Sequence, residues 1–175
     1  MSYKILTEAS NSLTSTYLLH AIKDSGNITC GSDINDNNGI SSITDDFIVM
    51  PKLNDECLWN KIYSLLRKHK IEIVIPSFDE HLIGWSTIKY KLLKHGIHVL
   101  ISPLETIKTF IDKWETYKFF SDIGIPTPKT MIYNNYGVLK PRFGRGTKNI
   151  SFIDNKQFYL WGGGGITQAR LPHYG

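Results

Sequence analysis

Short apolar runs alternate with longer amphipathic stretches through the first half of the chain. Residues 3–7 read as a strand. Over 12–23, Leu13, Tyr17, Leu18, Ala21 and Ile22 recur at helical spacing, and Gly26 follows as a stop. A second strand is expected over 28–30. A loop rich in Asn, Asp, Gly and Ser follows over 33–46, then a short strand over 47–50 closed by Pro51. Leu58, Ile62, Leu65 and Leu66 mark one face of a helix over 55–70. The β-branched run 71–75, ended by Pro76, reads as a buried central strand. A helix over 79–95, capped by Asp79 and stopped by Gly96, precedes a strand over 97–101 and a short helix after Pro103. This alternation implies parallel strands joined by right-handed crossovers, with helices on both faces of the sheet. Ligands of such sheets bind beyond the carboxyl ends of the strands. The polar segments 8–11, 31–33 and 77–80 fall there.

The pattern changes after Asp112. Residues 113–123 form an amphipathic helix carrying Trp114, Tyr117, Phe119 and Phe120, and a stiff connector, 124–128, follows. Strands are expected over 130–133, 138–140 and 149–153, with a loop over 141–148. A last short strand, from Ile166, carries Gln168 and Leu171. The fold class is therefore α/β: a Rossmann-like parallel-sheet domain over 1–107, then a partial α+β lobe over 108–175.

The 175 residues are 41% hydrophobic and 21% charged, an ordinary balance for a soluble globular chain. The net charge of +4 is spread along the chain. Its densest run, Arg67-Lys68-His69-Lys70, falls at a helix end, where cations complement the dipole. No basic stripe interleaved with aromatics points to nucleic acid. Cys30 and Cys57 lack metal-ligand spacing, which argues against zinc and fits a reducing cytoplasm. Neither a signal-peptide stretch nor an apolar run of membrane-spanning length is present in the sequence.

Three features carry chemistry. In Lys140-Pro141-Arg142-Phe143-Gly144-Arg145-Gly146-Thr147-Lys148, a lysine ends a strand and opens a glycine- and cation-rich loop. Glycines let backbone N–H groups approach a phosphate, and Thr147 adds a hydroxyl. The Gly-Lys-Ser/Thr signature of a Walker loop is absent, and a tight hairpin with solvated charges is the alternative, though a plain turn does not need this length with this charge density. Second, Asp112 is a good N-cap, while Lys113 in the first turn opposes the helix dipole, a mismatch that a bound phosphate would offset. An exposed surface lysine is the alternative there. Third, the strand around Gln168 can contact adenine through its backbone and one amide, or be an ordinary edge strand.

These features occur in a fixed order. Pro76-Ser77-Phe78-Asp79-Glu80-His81-Leu82 comes first, then Asp112-Lys113-Trp114 and Gly124-Ile125-Pro126-Thr127-Pro128-Lys129-Thr130. Leu139 to Gly146 and Ile166-Thr167-Gln168 follow. Together they closely resemble ATP-grasp enzymes of the carbamoyl-phosphate-synthase-like and biotin-carboxylase-like type, over nearly the whole chain. The resemblance implies a pre-ATP-grasp domain followed by the first part of the ATP-grasp lobe. It implies that Lys113 and Lys140 meet the ATP phosphates, with Arg142 adding charge. Gly144, Arg145, Gly146 and Thr147 match the loop over the β- and γ-phosphates, and Gln168 with the Leu171 backbone matches the adenine strand. Relatives usually carry Glu on that strand, where Ala169 or Gln168 stands here.

The implied reaction is ATP-dependent activation of a carboxylate as an acyl phosphate, then attack by an amine or another nucleophile. The implied partners are a nucleotide, an unspecified carboxylate substrate and, through the leading domain, a second copy in a homodimer. Two departures stand out. Gly162-Gly163-Gly164-Gly165 occupies the place of an expected helix, and glycine is poor helix material. The family's Mg²⁺ ligands, carboxylates and an Asn, come from the later half of the fold, and no Asp or Glu follows Asp154. The expectation is therefore a truncated, N-terminal fragment of a ligase. It would have no catalytic or metal-ligating residue of its own and would bind at most nucleotide. A non-catalytic nucleotide-binding or interaction module of the same fold is the alternative. A dinucleotide oxidoreductase is disfavoured, because the first strand–helix turn lacks a glycine fingerprint and carries Glu8.

Overall fold

The computed structural model describes residues 2–12, 15–36, 43–132, 137–144, 149–153 and 165–168. The chain divides into two compact units, Met1–Leu104 and Glu105–Gly175.

In the first unit the elements run β1 (Lys4–Thr7), α1 (Ser15–Asp24), β2 (Ile28–Asp33), β3 (Asp46–Val49), α2 (Leu58–Lys68), β4 (Ile73–Ile75), α3 (Asp79–Leu93) and β5 (His98–Val99). The strands form one sheet in the order β3-β2-β1-β4-β5, every pair parallel. The chain winds outward from β1 to β2 and β3, then returns on the other side of β1 through β4 and β5. The order reverses between β1 and β4, so the crevice of this sheet opens at their carboxyl ends.

Leu6, Cys30, Ile48 and Val74 of the sheet pack with Leu58, Ile62 and Leu66 of α2 and with Trp85 and Leu92 of α3. Burial, reinforced by the Asp46 carboxylate, pushes the Cys30 thiol up to about 12, so it is an inert packing group. At the amino edge, Asp46 Oδ2 accepts from Lys4 Nζ at 2.6 Å and meets His69 Nδ1 at 2.8 Å, tying β1, β3 and the end of α2 together.

Two helix starts differ from expectation. The Asp55 carboxylate accepts from the Cys57 amide at 2.9 Å, and this turn delays α2 to Leu58. The N-cap of α3 is Phe78, without a side-chain cap, so Asp79 is the first helical residue and complements the dipole from inside the first turn.

The second unit continues α4 (Leu104–Ile111) from Glu105 onward. It then runs through α5 (Lys113–Asp122), β6 (Thr130–Met131), β7 (Gly137–Pro141), β8 (Ser151–Ile153) and β9 (Gly165–Gln168). Its described strands form an antiparallel sheet in the order β6-β9-β7-β8. The last strand in sequence is thus an inner strand of this sheet, which corrects the edge-strand reading. Both neighbours satisfy its backbone, and Ile166 and Thr167 are buried. No helix among the described residues is long and apolar enough to cross a membrane.

Candidate functional site

The junction of α5 with the root of the glycine loop is built from hydrogen bonds spanning about thirty residues of sequence. Asp112 caps α5, its side chain accepting from the amides of Trp114 at 2.9 Å and Glu115 at 3.4 Å. The same carboxylate receives Arg142, the residue that follows β7. Arg142 Nε lies 2.7 Å from each carboxylate oxygen, and Nη2 lies 2.6 Å from Oδ2. Arg142 Nη2 also reaches Glu115 Oε1 at 3.3 Å. Burial pushes the Asp112 carboxyl upward, but the Arg142 bond and the two amides together outweigh it and hold the group below the usual carboxylate range.

Lys113, next to the cap, joins the same junction twice. Its backbone N–H donates to the Arg142 carbonyl at 3.1 Å. Its ammonium donates to the Gly144 carbonyl at 2.8 Å and to that of Arg142 at 3.5 Å. Gly144 has φ +109, a conformation that favours glycine. Arg145, Gly146 and Thr147 lie outside the described residues, as do Ala169 and Leu171 of the adenine-strand assignment.

Lys140 belongs to a second group, on one face of the sheet. Val138 pairs with Gln168 and Lys140 with Ile166, so Lys140 and Gln168 are diagonal neighbours across β7 and β9. Lys140 Nζ donates to Gln168 Oε1 at 2.5 Å, and Gln168 Nε2 approaches Thr130 Oγ1 of β6 at 3.5 Å. Lys140 and Arg142 lie two positions apart in sequence and so join the two groups through β7.

A third polar cluster, in the first unit, was hidden from sequence reasoning. Glu8, just past β1, and His81, in the first turn of α3, are buried, and Glu8 Oε1 lies 2.7 Å from His81 Nδ1. Ser77 Oγ donates to the Glu8 carbonyl at 2.5 Å. Glu8 Oε2, His81 Nε2 and Trp85 Nε1 are buried with no hydrogen-bond partner among the described residues. The 73-residue separation of Glu8 and His81 leaves no local pattern to read.

No family model matches the sequence. Over 71 residues the chain is 38% identical to the coenzyme gamma-F420-2:alpha-L-glutamate ligase of Methanococcus maripaludis, a match covering 41% of this chain and 24% of that protein. The fold is similar to N5-carboxyaminoimidazole ribonucleotide synthetase from Thermotoga maritima (TM-score 0.69, 19% identity, 96% of this chain and 46% of that one). It is similar also to the L-amino acid ligase of Bacillus licheniformis (TM-score 0.74, 13% identity, 97% and 44%). A third similar structure is the N5-carboxyaminoimidazole synthetase of Staphylococcus aureus complexed with ADP (TM-score 0.71, 14% identity, 98% and 48%). This is the ATP-grasp fold. The chain spans about half the length of these structures, and its matched segment covers about a quarter of the curated ligase. The five-stranded parallel sheet and the antiparallel sheet are consistent with about half of that fold.

Proposed function

We propose that this chain supplies ATP-phosphate contacts in an ATP-dependent ligase that activates a carboxylate as an acyl phosphate. The observation that carries the proposal is the junction of α5 with the loop root, where the Lys113 backbone and ammonium meet the carbonyls of Arg142 and Gly144. The Lys113 ammonium is held beside Gly144, where the glycine- and cation-rich sequence begins, and a cation next to such a sequence suits a polyphosphate. Lys140, at the end of β7, would add the second ammonium, and Gln168 would stand on the adenine side. Arg145, Gly146, Thr147 and Leu171 complete the proposed set from sequence.

Mg²⁺ is part of this chemistry in the family. Among the described residues no group of three or more His, Cys, Asp or Glu side chains could hold a metal ion. The proposed contribution of Lys113 and Lys140 is charge neutralisation and positioning of the phosphates. The two unbridged cysteines fit a cytoplasmic setting.

Calorimetric titration of the chain with ATP tests the proposal. A charge-assisted contact is worth about 1.5–3 kcal/mol, so Lys140→Ala and Lys113→Ala should each weaken binding by roughly ten- to a hundredfold. Unchanged affinity in both variants would remove the assignment.

A further inference from the structure

Arg142 lies in the loop where sequence puts phosphate-binding cations, yet its guanidinium is turned onto the helix cap. Both Asp112 oxygens are engaged, at 2.7 Å from Nε and 2.6 Å from Nη2, and Glu115 stands 3.3 Å from Nη2. Asp112 is only 4% exposed. The buried Asp112 carboxylate therefore pairs the guanidinium charge, while Glu115 is shared between Arg142 Nη2 and Lys118 Nζ, the latter at 2.6 Å. The backbone of Arg142 accepts from the Lys113 amide at 3.1 Å. Arg142 is therefore joined to α5 at both its side chain and its carbonyl, and that double tie sets the Gly144 carbonyl 2.8 Å from the Lys113 ammonium.

We infer that Asp112 and Arg142 form a clamp that positions the root of the nucleotide loop on the α5 N-terminus, with Arg142 a positioning residue and not a phosphate ligand. The inference rests on the nucleotide reading above. Its physical content is preorganisation: a loop root already docked on the helix has less ordering to undergo when a ligand arrives. The planar fork of arginine is essential, because a lysine at 142 keeps the charge but cannot engage both carboxylate oxygens in one plane. Asp112 has to cap the helix and receive the fork at once. An asparagine there keeps the cap and loses the charge.

The test uses the full chain and the variants Arg142→Lys, Asp112→Asn and their combination. Hydrogen exchange of the Lys113 amide reads the clamp without ligand. ATP titration at two salt concentrations reads its effect on binding. Both single variants are expected to speed Lys113 exchange and to weaken ATP binding by about tenfold, as misplaced binding groups do. The combination should be no worse than either single variant, and the salt dependence of affinity should match that of the unaltered chain. A direct phosphate contact behaves differently. Asp112→Asn would then free the guanidinium and tighten binding, and Arg142→Lys would keep the charge and bind normally; either result overturns the clamp. Unchanged Lys113 exchange in both variants, with ATP binding intact, also overturns it while leaving the nucleotide reading standing. Failure of the unaltered chain to bind ATP removes the nucleotide reading itself, and the clamp's role with it. Arg142→Lys alone decides the matter if Asp112→Asn does not fold.

Discussion

Single side chains in this protein are defined by partners far away in sequence. Glu8 reads locally as a charge at the ligand edge of a sheet, but it is buried against His81 at 2.7 Å. Replacing it by alanine would strand the His81 Nδ1 in a buried site, which costs about 1–3 kcal/mol. Glu8→Ala should lower the urea midpoint accordingly, whereas Glu8→Gln, which still offers an oxygen to His81, should lose less. A Glu8→Ala chain as stable as the original would show that the pair contributes nothing. Arg142 also has its partner far away in sequence. A cation in a glycine loop points to phosphate, and only the approach of Asp112, thirty positions earlier, shows the charge already neutralised. The Asp112 cap, by contrast, was legible, because capping is decided within four residues.

Elements were more legible than side chains, since the periodicity of apolar positions is a local quantity. The α2 face of Leu58, Ile62 and Leu66 is buried as the spacing requires. Boundaries moved where turns competed, as at Asp55, and β2 runs on through Gly31, Ser32 and Asp33, which the sequence places just past its end. How elements approach one another was not legible. Gly84, inside α3, permits the crossing with α2, because a Cβ there would overlap the indole ring of Trp59. Trp59 in turn meets Trp85 edge-on at 5.2 Å. An alanine in a helix otherwise gains up to about 1 kcal/mol over glycine. Here overpacking of about 1–3 kcal/mol is expected to win. Gly84→Ala should lower the melting temperature, and a rise would mean that the two helices separate freely.

Across the whole molecule, acid sensitivity is the property these contacts predict. Backbone and side-chain bonds from Thr29 hold the Asp45 carboxyl below its ordinary range. For Asp46, burial raises the group, and the bonds from Lys4, His69 and the Phe47 amide together outweigh it. Asp112 is depressed in the same manner. A depressed carboxyl contributes stability that is fully present above the unfolded aspartate value, about pH 4, and is lost as pH falls through the folded values. Unfolding free energy should therefore hold steady from about pH 7 to 5 and drop below about 4, and Asp46→Asn should flatten part of that drop. A profile level down to pH 3, measured by urea titration, would contradict these contacts. The sequence by itself determined the alternation of strand and helix, the parallel first sheet, the capped start of α5 and the placing of Lys140 at a strand end. Each of these follows from periodicity or from chemistry within a few residues. Only the tertiary structure decided that β9 enters between β6 and β7, that Glu8 meets His81, and that Arg142 belongs to the helix cap. Those are pairings between residues tens of positions apart, chosen by which buried charges and backbone groups could be satisfied together.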